Sequence, residues 1–158
     1  MVLQIFNDSN RMKAKEITVS ILLLVMVIVL YYPILPGMYN DWFQYNNNSH
    51  GILVPFISGF LLWRVRKKIP WEDVSTSWTG FLIMILSIIL YVVGYAGGIE
   101  VLPRIMFVST IIGLTIFNWG PRVFSVIAFP MFFLFFMVPI PLSIETLVSF
   151  PLQMWVTK

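Results

Sequence analysis

The chain has 158 residues, of which 59% are hydrophobic and only 11% are charged, whereas soluble domains usually carry about 25% charged residues. A soluble fold of this length cannot bury so much apolar surface, so the composition excludes one and predicts an all-α, polytopic transmembrane helical bundle in a lipid bilayer. The net charge of +3 does not predict nucleic-acid binding, because most of the basic residues form two clusters beside apolar runs, at 11–15 and 64–68.

About five apolar runs follow a basic cytoplasmic tail at 1–16, and a helix needs about 20 residues to cross a bilayer. Spans are predicted at 17–35, 49–63, 79–97, 101–117 and 123–138. The first run has no small-residue cleavage site behind it, which favours an uncleaved anchor over a removed signal peptide. The second run is short, and the sequence leaves open whether it crosses fully, tilts or is re-entrant. Pro130 predicts a kink in the fifth.

The last part of the chain has a different pattern. Apolar residues recur at helical spacing over 143–156, with polar residues on the other face. This pattern predicts an amphipathic helix that lies at the outer membrane interface. Ser143 is the predicted N-cap of that helix, and Glu145 falls in its first turn, where a negative charge is favourable.

The loops between the spans alternate between basic and non-basic, which predicts the orientation of the chain. The N-terminal tail, the cluster at 64–68 and Arg122 carry positive charge, whereas the loop at 36–50 has no Lys or Arg. We therefore expect a cytoplasmic N-terminus. In that orientation His50 and the C-terminal segment both lie on the outer side of the membrane.

A polar and aromatic stretch between the first two spans is the main candidate site. Its candidate functional residues are Asp41, Trp42, Asn48, Ser49, His50 and Gly51. An imidazole is able to act as an acid or base, and Asp41 could orient it. The alternative is that His50 caps the second helix or binds interfacial water. Catalysis by these two side chains alone would lack a nucleophile.

Arg104 lies just inside the fourth predicted span, where an ionisable side chain is a candidate functional group. The alternatives are that it snorkels to the outer headgroups or pairs with Glu100, four residues earlier. Gly94 and Gly98 are spaced as a small-residue pair that lets helices pack closely, although chance explains the spacing equally well.

The chain contains no cysteine and a single histidine. Within these residues, that excludes a disulfide, a thiolate metal site and a cysteine nucleophile. One copy of the chain also cannot form a multi-histidine metal site. We predict no metal ion and no cofactor.

Several short motifs occur in order along the chain. The first group comprises residues 42–46, Asn-Ser-His-Gly-Ile-Leu-Val-Pro at 48–55, and Leu-Leu-Trp at 61–63 with Arg64 and Arg66. The second comprises Phe-Pro-Met-Phe-Phe-Leu at 129–134, Val-Pro-Ile-Pro at 138–141 and Pro-Leu-Gln at 151–153. From about residue 39 to its end, the chain resembles the N-terminal portion of the exosortase/archaeosortase family.

The resemblance implies a multi-pass protein of the bacterial inner membrane. Exosortases are regarded as cysteine proteases or transpeptidases and often accompany exopolysaccharide synthesis. They are thought to process client proteins with a C-terminal sorting signal, which joins a Pro-Glu-Pro-type motif, a transmembrane helix and a basic tail. The family's catalytic Cys, in an Ala-Cys-Ser-Gly-like motif, and its Arg and His partners are expected beyond residue 158, so no catalytic residue is assigned here.

Because a thiolate and its activators are what this chemistry needs, the chain is expected to be inactive alone. We expect a truncated product, with a separate polypeptide that supplies the catalytic half as the other explanation. Two other functions stay open: a non-enzymatic membrane interaction or assembly subunit of an export or polysaccharide system, and a small transporter component.

Overall fold

The computed structural model of the protein describes residues 21–44 and 50–139. Helices are the only regular elements in these two ranges. They are α1 (21–31), α2 (Leu35–Gln44), α3 (Val54–Val65), α4 (Trp78–Ala96) and α5 (Val101–Phe133), with 3-10 turns at Tyr32–Ile34, Arg66–Lys68, Trp71–Asp73 and Leu134–Met137. The predicted tail at 1–16, the residues Asn48 and Ser49 and the predicted interfacial helix at 143–156 lie outside the described residues.

Three stretches of the described chain are long and apolar enough to cross a membrane, namely Ile21–Phe43, Trp78–Ala96 and Val101–Met137. Their surfaces expose large apolar side chains, such as Leu82 at 64% and Phe129 at 69%. Lipid tails can solvate such surfaces, whereas their exposure to water costs free energy. The prediction of an all-helical membrane protein is confirmed. The count of about five spans is not, since α3 has only 12 residues.

Helix α5 reverses direction at Gly120, whose backbone is non-helical (φ 81°, ψ 169°). Arg104, near the start of α5, contacts Asp41. Trp42, which follows Asp41 in the sequence, contacts the carbonyl of Met137, just after the end of α5. A straight helix would separate Arg104 from Met137 by about 50 Å. The two halves of α5 are therefore antiparallel, and they correspond to the runs predicted at 101–117 and 123–138.

Helix α4 and the first half of α5 form a closely packed hairpin. A Cβ atom added to Gly80 would collide with the backbone of Phe117, and one added to Gly113 would lie 2.7 Å from the backbone nitrogen of Met84. Of the glycine pair noted in the sequence, Gly94 packs against another residue of the hairpin, Leu102, and Gly98 forms the turn with φ 68°. The small residues that bring the two helices closest together are thus Gly80, near the start of α4, and Gly113 on α5.

Tyr31 anchors the N-terminal helix in the core of the bundle. Its side chain is fully buried, and its hydroxyl lies 2.7 Å from Oγ1 of Thr110. Its ring lies 4.3 Å from that of Tyr91, whose hydroxyl donates a hydrogen bond to the carbonyl of Leu30. The 3-10 turn containing Pro33 interrupts the helix at this point. Tyr91 therefore satisfies a carbonyl that the interrupted helix leaves available.

Helix α3 packs antiparallel to the second half of α5. Gly51 lies beside Met137 at one end, and Ser58 donates a 2.8 Å hydrogen bond to the carbonyl of Pro130 further along. The N–H of Leu134 bonds to the carbonyl of Met131 instead, because the helix tightens into a 3-10 turn there. Ser58 thus supplies the donor that the change in helix type removes.

Two ends of the bundle follow from these contacts. We call the end that contains Asp41, Gly51, Arg104 and Met137 the Arg104 end. The opposite end, which we call the Gly120 end, contains the reversal of α5, the segment 64–77 and Arg122. Ser75 packs on Gly120 there, and Arg122 pairs with Asp73.

Candidate functional site

A partly buried ion pair lies at the Arg104 end of the bundle. Nη1 of Arg104, from the first turn of α5, donates a 2.7 Å hydrogen bond to Oδ2 of Asp41, from α2. The arginine side chain is only 9% exposed and the aspartate 24%. The sequence alternatives for Arg104, snorkelling and pairing with Glu100, are not what the structure shows. Glu100 is exposed, and Arg104 turns inward to α2.

The surroundings of this pair set the balance between its desolvation cost and the attraction of its two charges. Removing two charges from water is costly, and a short charge-assisted hydrogen bond recovers part of that cost. The attraction also increases where the surroundings are less polarisable than water. Gly37 lies beside the guanidinium, and a Cβ atom there would be 3.7 Å from Nη2 of Arg104. That distance is an ordinary van der Waals contact, so a methyl group at position 37 would touch the guanidinium without displacing it.

Trp42 closes the site beside the ion pair. Its indole N–H donates a 3.0 Å hydrogen bond to the carbonyl of Met137, although the two residues are 95 positions apart. The indole also covers Gly51, which is buried. A Cβ atom added to Gly51 would collide with that indole and lie 3.1 Å from the Met137 carbonyl oxygen. Only glycine lets the tryptophan reach its acceptor.

His50 occupies the surface of the same end. Its side chain is exposed, and its carbonyl accepts a 3.0 Å hydrogen bond from the backbone N–H of Leu53. This bond closes the 3-10 turn over 50–52 that leads into α3. The carboxylate of Asp41 is engaged by Arg104, so the structure gives it a partner other than the imidazole. His50 contributes to the entry of α3 through its backbone.

Sequence reasoning placed Asp41, Trp42 and Gly51 in one candidate site and Arg104 in another. The structure brings these four residues together and adds Met137, which the sequence reasoning missed. Met137 contributes only a backbone carbonyl, and no side-chain pattern signals that contact. The sequence did signal that the helix ends nearby, because a proline stands at position 139, two residues after Met137.

The family model for transmembrane exosortase (Exosortase_EpsH) matches residues 42–158. The chain belongs to the transmembrane exosortase family. No curated protein and no solved structure shows a significant match to it. The family match begins at Trp42, so it includes Gly51, Arg104 and Met137, and it confirms the resemblance seen in the sequence.

The described residues of the site in this exosortase supply charged, aromatic and polar groups. The site offers a fixed ion pair, an indole and an exposed imidazole, and the chain has no thiol to act as the nucleophile. Among the residues that the structure describes, no three His, Asp or Glu side chains lie close enough to hold a metal ion. The ion pair, the indole and the imidazole lie together at the Arg104 end of the bundle.

Proposed function

We propose that these 158 residues form the client-guiding part of an exosortase, which receives the C-terminal sorting signal of an exported protein. One observation carries the proposal. Trp42 and Gly51, from the first family motif, meet the carbonyl of Met137, directly before the Val-Pro-Ile-Pro motif. Two distant motifs of a processing family thus build one surface at one end of the bundle.

The orientation belongs to the same proposal: the chain crosses the inner membrane five times, with the N-terminus in the cytoplasm and the Arg104 end outside. The reversal at Gly120 supports it, because Arg122 joins the basic residues at 64–68 at one end. Basic residues favour the cytoplasmic side. The first half of α5 is about 28 Å long, close to the thickness of the bilayer core.

We further propose that these residues do not cleave the client by themselves. Sorting-signal cleavage by a cysteine mechanism needs a thiolate and groups that activate it. The 158 residues contain no cysteine, and their only histidine is exposed at the bundle end. The thiolate and its activators would come from residues outside this sequence, either on the same polypeptide or on a separate one.

Site-specific photocrosslinking tests the proposal in a host that lacks an exosortase. A photoreactive amino acid replaces Phe43, which is 61% exposed beside Trp42. The control variant carries it in place of Trp78, which is 78% exposed near the Gly120 end. The bait is a reporter with a C-terminal sorting signal, and its matched control carries a scrambled motif before the same transmembrane helix.

We expect crosslinks from position 43 to the intact signal and few to the scrambled one, with the reporter recovered uncut. Equal crosslinking of both reporters would contradict client guiding, since the transmembrane helix alone would then account for contact. Cleavage of the reporter would contradict the proposal that these residues are inactive by themselves.

A further inference from the structure

A dense group of cations ends α3 at the Gly120 end of the bundle. Arg64 lies in the last turn of the helix, and Arg66, Lys67 and Lys68 form the 3-10 turn that follows. All four side chains are exposed. A 3-10 turn has three residues per turn, so three consecutive side chains point in three directions around its axis. The backbone turn therefore fans these side chains outward, and the long, flexible stem of a lysine lets its ammonium reach a group held at Arg66.

One of these cations is held in place by an aromatic ring. Cζ of Arg66 lies 4.8 Å from the centre of the Trp63 ring, within the range of a cation–π interaction. Trp63 is 57% exposed, and the ring of Phe60, which is 59% exposed, lies 6.2 Å from it. An apolar strip on α3 thus leads directly up to a positioned guanidinium.

The surrounding acids leave this positive charge in excess. Within residues 21–44 and 50–139, the two ion pairs use Asp41 and Asp73. Asp73 pairs with Arg122 at 3.4 Å, and Asp41 lies at the other end of the bundle. Glu72, an exposed acid near the Gly120 end, could neutralise one of the four cations at most. The positive charge on 64–68 is therefore complementary to a negatively charged partner, and the adjacent apolar strip is complementary to a hydrocarbon chain.

We propose that residues 60–68 bind an anionic phospholipid. The phosphate of the headgroup lies against Arg66 and Lys67, and an acyl chain lies along Phe60 and Trp63. A guanidinium matches the geometry of phosphate oxygens, and the indole reduces the freedom that Arg66 loses on binding. Clusters of Lys and Arg beside a membrane helix attract anionic lipids in general. The ring-held arginine converts that attraction into a defined site.

Native mass spectrometry of the full chain in detergent tests the site with phosphatidylglycerol, with phosphatidylcholine of the same acyl chains, and with glycerol phosphate as a soluble competitor. We expect one saturable phosphatidylglycerol adduct. The double variant R66Q/K67Q weakens it about 30-fold, from the expected contribution of each cation near a membrane. W63L keeps every charge and weakens it about threefold.

The matched control is R122Q, which removes a cation at the same end that Asp73 already neutralises. Its expected effect is smaller than that of W63L. Equal weakening by R122Q and R66Q/K67Q would overturn the proposal, because it indicates diffuse attraction to the charged end. Equal binding of phosphatidylcholine, or displacement of the lipid by glycerol phosphate at the lipid's own concentration, would overturn it as well. Gel filtration and circular dichroism verify that each variant is folded.

Discussion

Nη1 of Arg104 lies 2.7 Å from Oδ2 of Asp41, and this bond joins two helices across 63 positions of the sequence. The residue after Asp41, Trp42, bonds to the carbonyl of Met137 at the end of the reversed half of α5. Adjacent residues of α2 therefore hold both ends of α5 together. The two bonds fix the geometry of the Arg104 end.

Replacing Asp41 with Asn should destabilise the folded protein by about 2 kcal/mol, because it leaves a nearly buried guanidinium without its negative partner. The free energy of unfolding in mixed micelles measures the effect. Asp73→Asn is the matched control, since its pair with Arg122 is largely exposed and should contribute less than about 1 kcal/mol. Equal losses in the two variants would show that burial does not strengthen the Asp41 pair.

A double-mutant cycle on the same pair separates its coupling from the loss of each side chain. We expect Asp41→Leu combined with Arg104→Leu to be less destabilising than the sum of the two single changes, by about 1–3 kcal/mol. The double variant no longer buries an uncompensated charge. Strictly additive losses would contradict a direct interaction between the two side chains.

Replacing Gly51 with Ala should destabilise the protein by about 1–3 kcal/mol, since the new methyl group pushes the Trp42 indole off its acceptor. Thermal unfolding in detergent measures the change. Gly59→Ala is the control: it lies in α3 with nothing within 4 Å of an added Cβ, and alanine is the better helix former. We expect that variant to be as stable as the parent or more stable. A Gly51 variant that behaves like it would refute the contact.

The reversal at Gly120 should be sensitive to any side chain. With φ 81° and ψ 169° its backbone lies in a region that is essentially restricted to glycine, and an added Cβ would lie 2.6 Å from the carbonyl oxygen of Ser75. We expect Gly120→Ala to cost about 3 kcal/mol or to prevent folding. Gly98→Asn, at φ 68° in open space, should cost under about 1 kcal/mol. Similar yields of folded protein for both would contradict the reversal.

The sequence predicted the helical membrane class because composition and apolar runs report directly on the solvent around a helix. It also predicted separate runs on both sides of Gly120, where Gly-Pro interrupts the apolar pattern. It could not predict that Arg104 pairs with Asp41 and not with Glu100. Nearby spacing favours the second pair, and only the packing of α2 on α5 brings the first together. The role of Tyr31 as an anchor could not be predicted for the same reason, since its partners are distant in the sequence.

The most direct test of the central claim is the side of the membrane on which the Arg104 end lies. The parent chain has no cysteine, so single cysteines can be introduced at two exposed acidic positions, Glu100 near the Arg104 end and Glu72 near the Gly120 end. A membrane-impermeant maleimide is applied to intact cells and then to opened ones. We predict that Glu100→Cys is labelled in intact cells and Glu72→Cys only after opening. The reverse pattern would contradict an extracytoplasmic site.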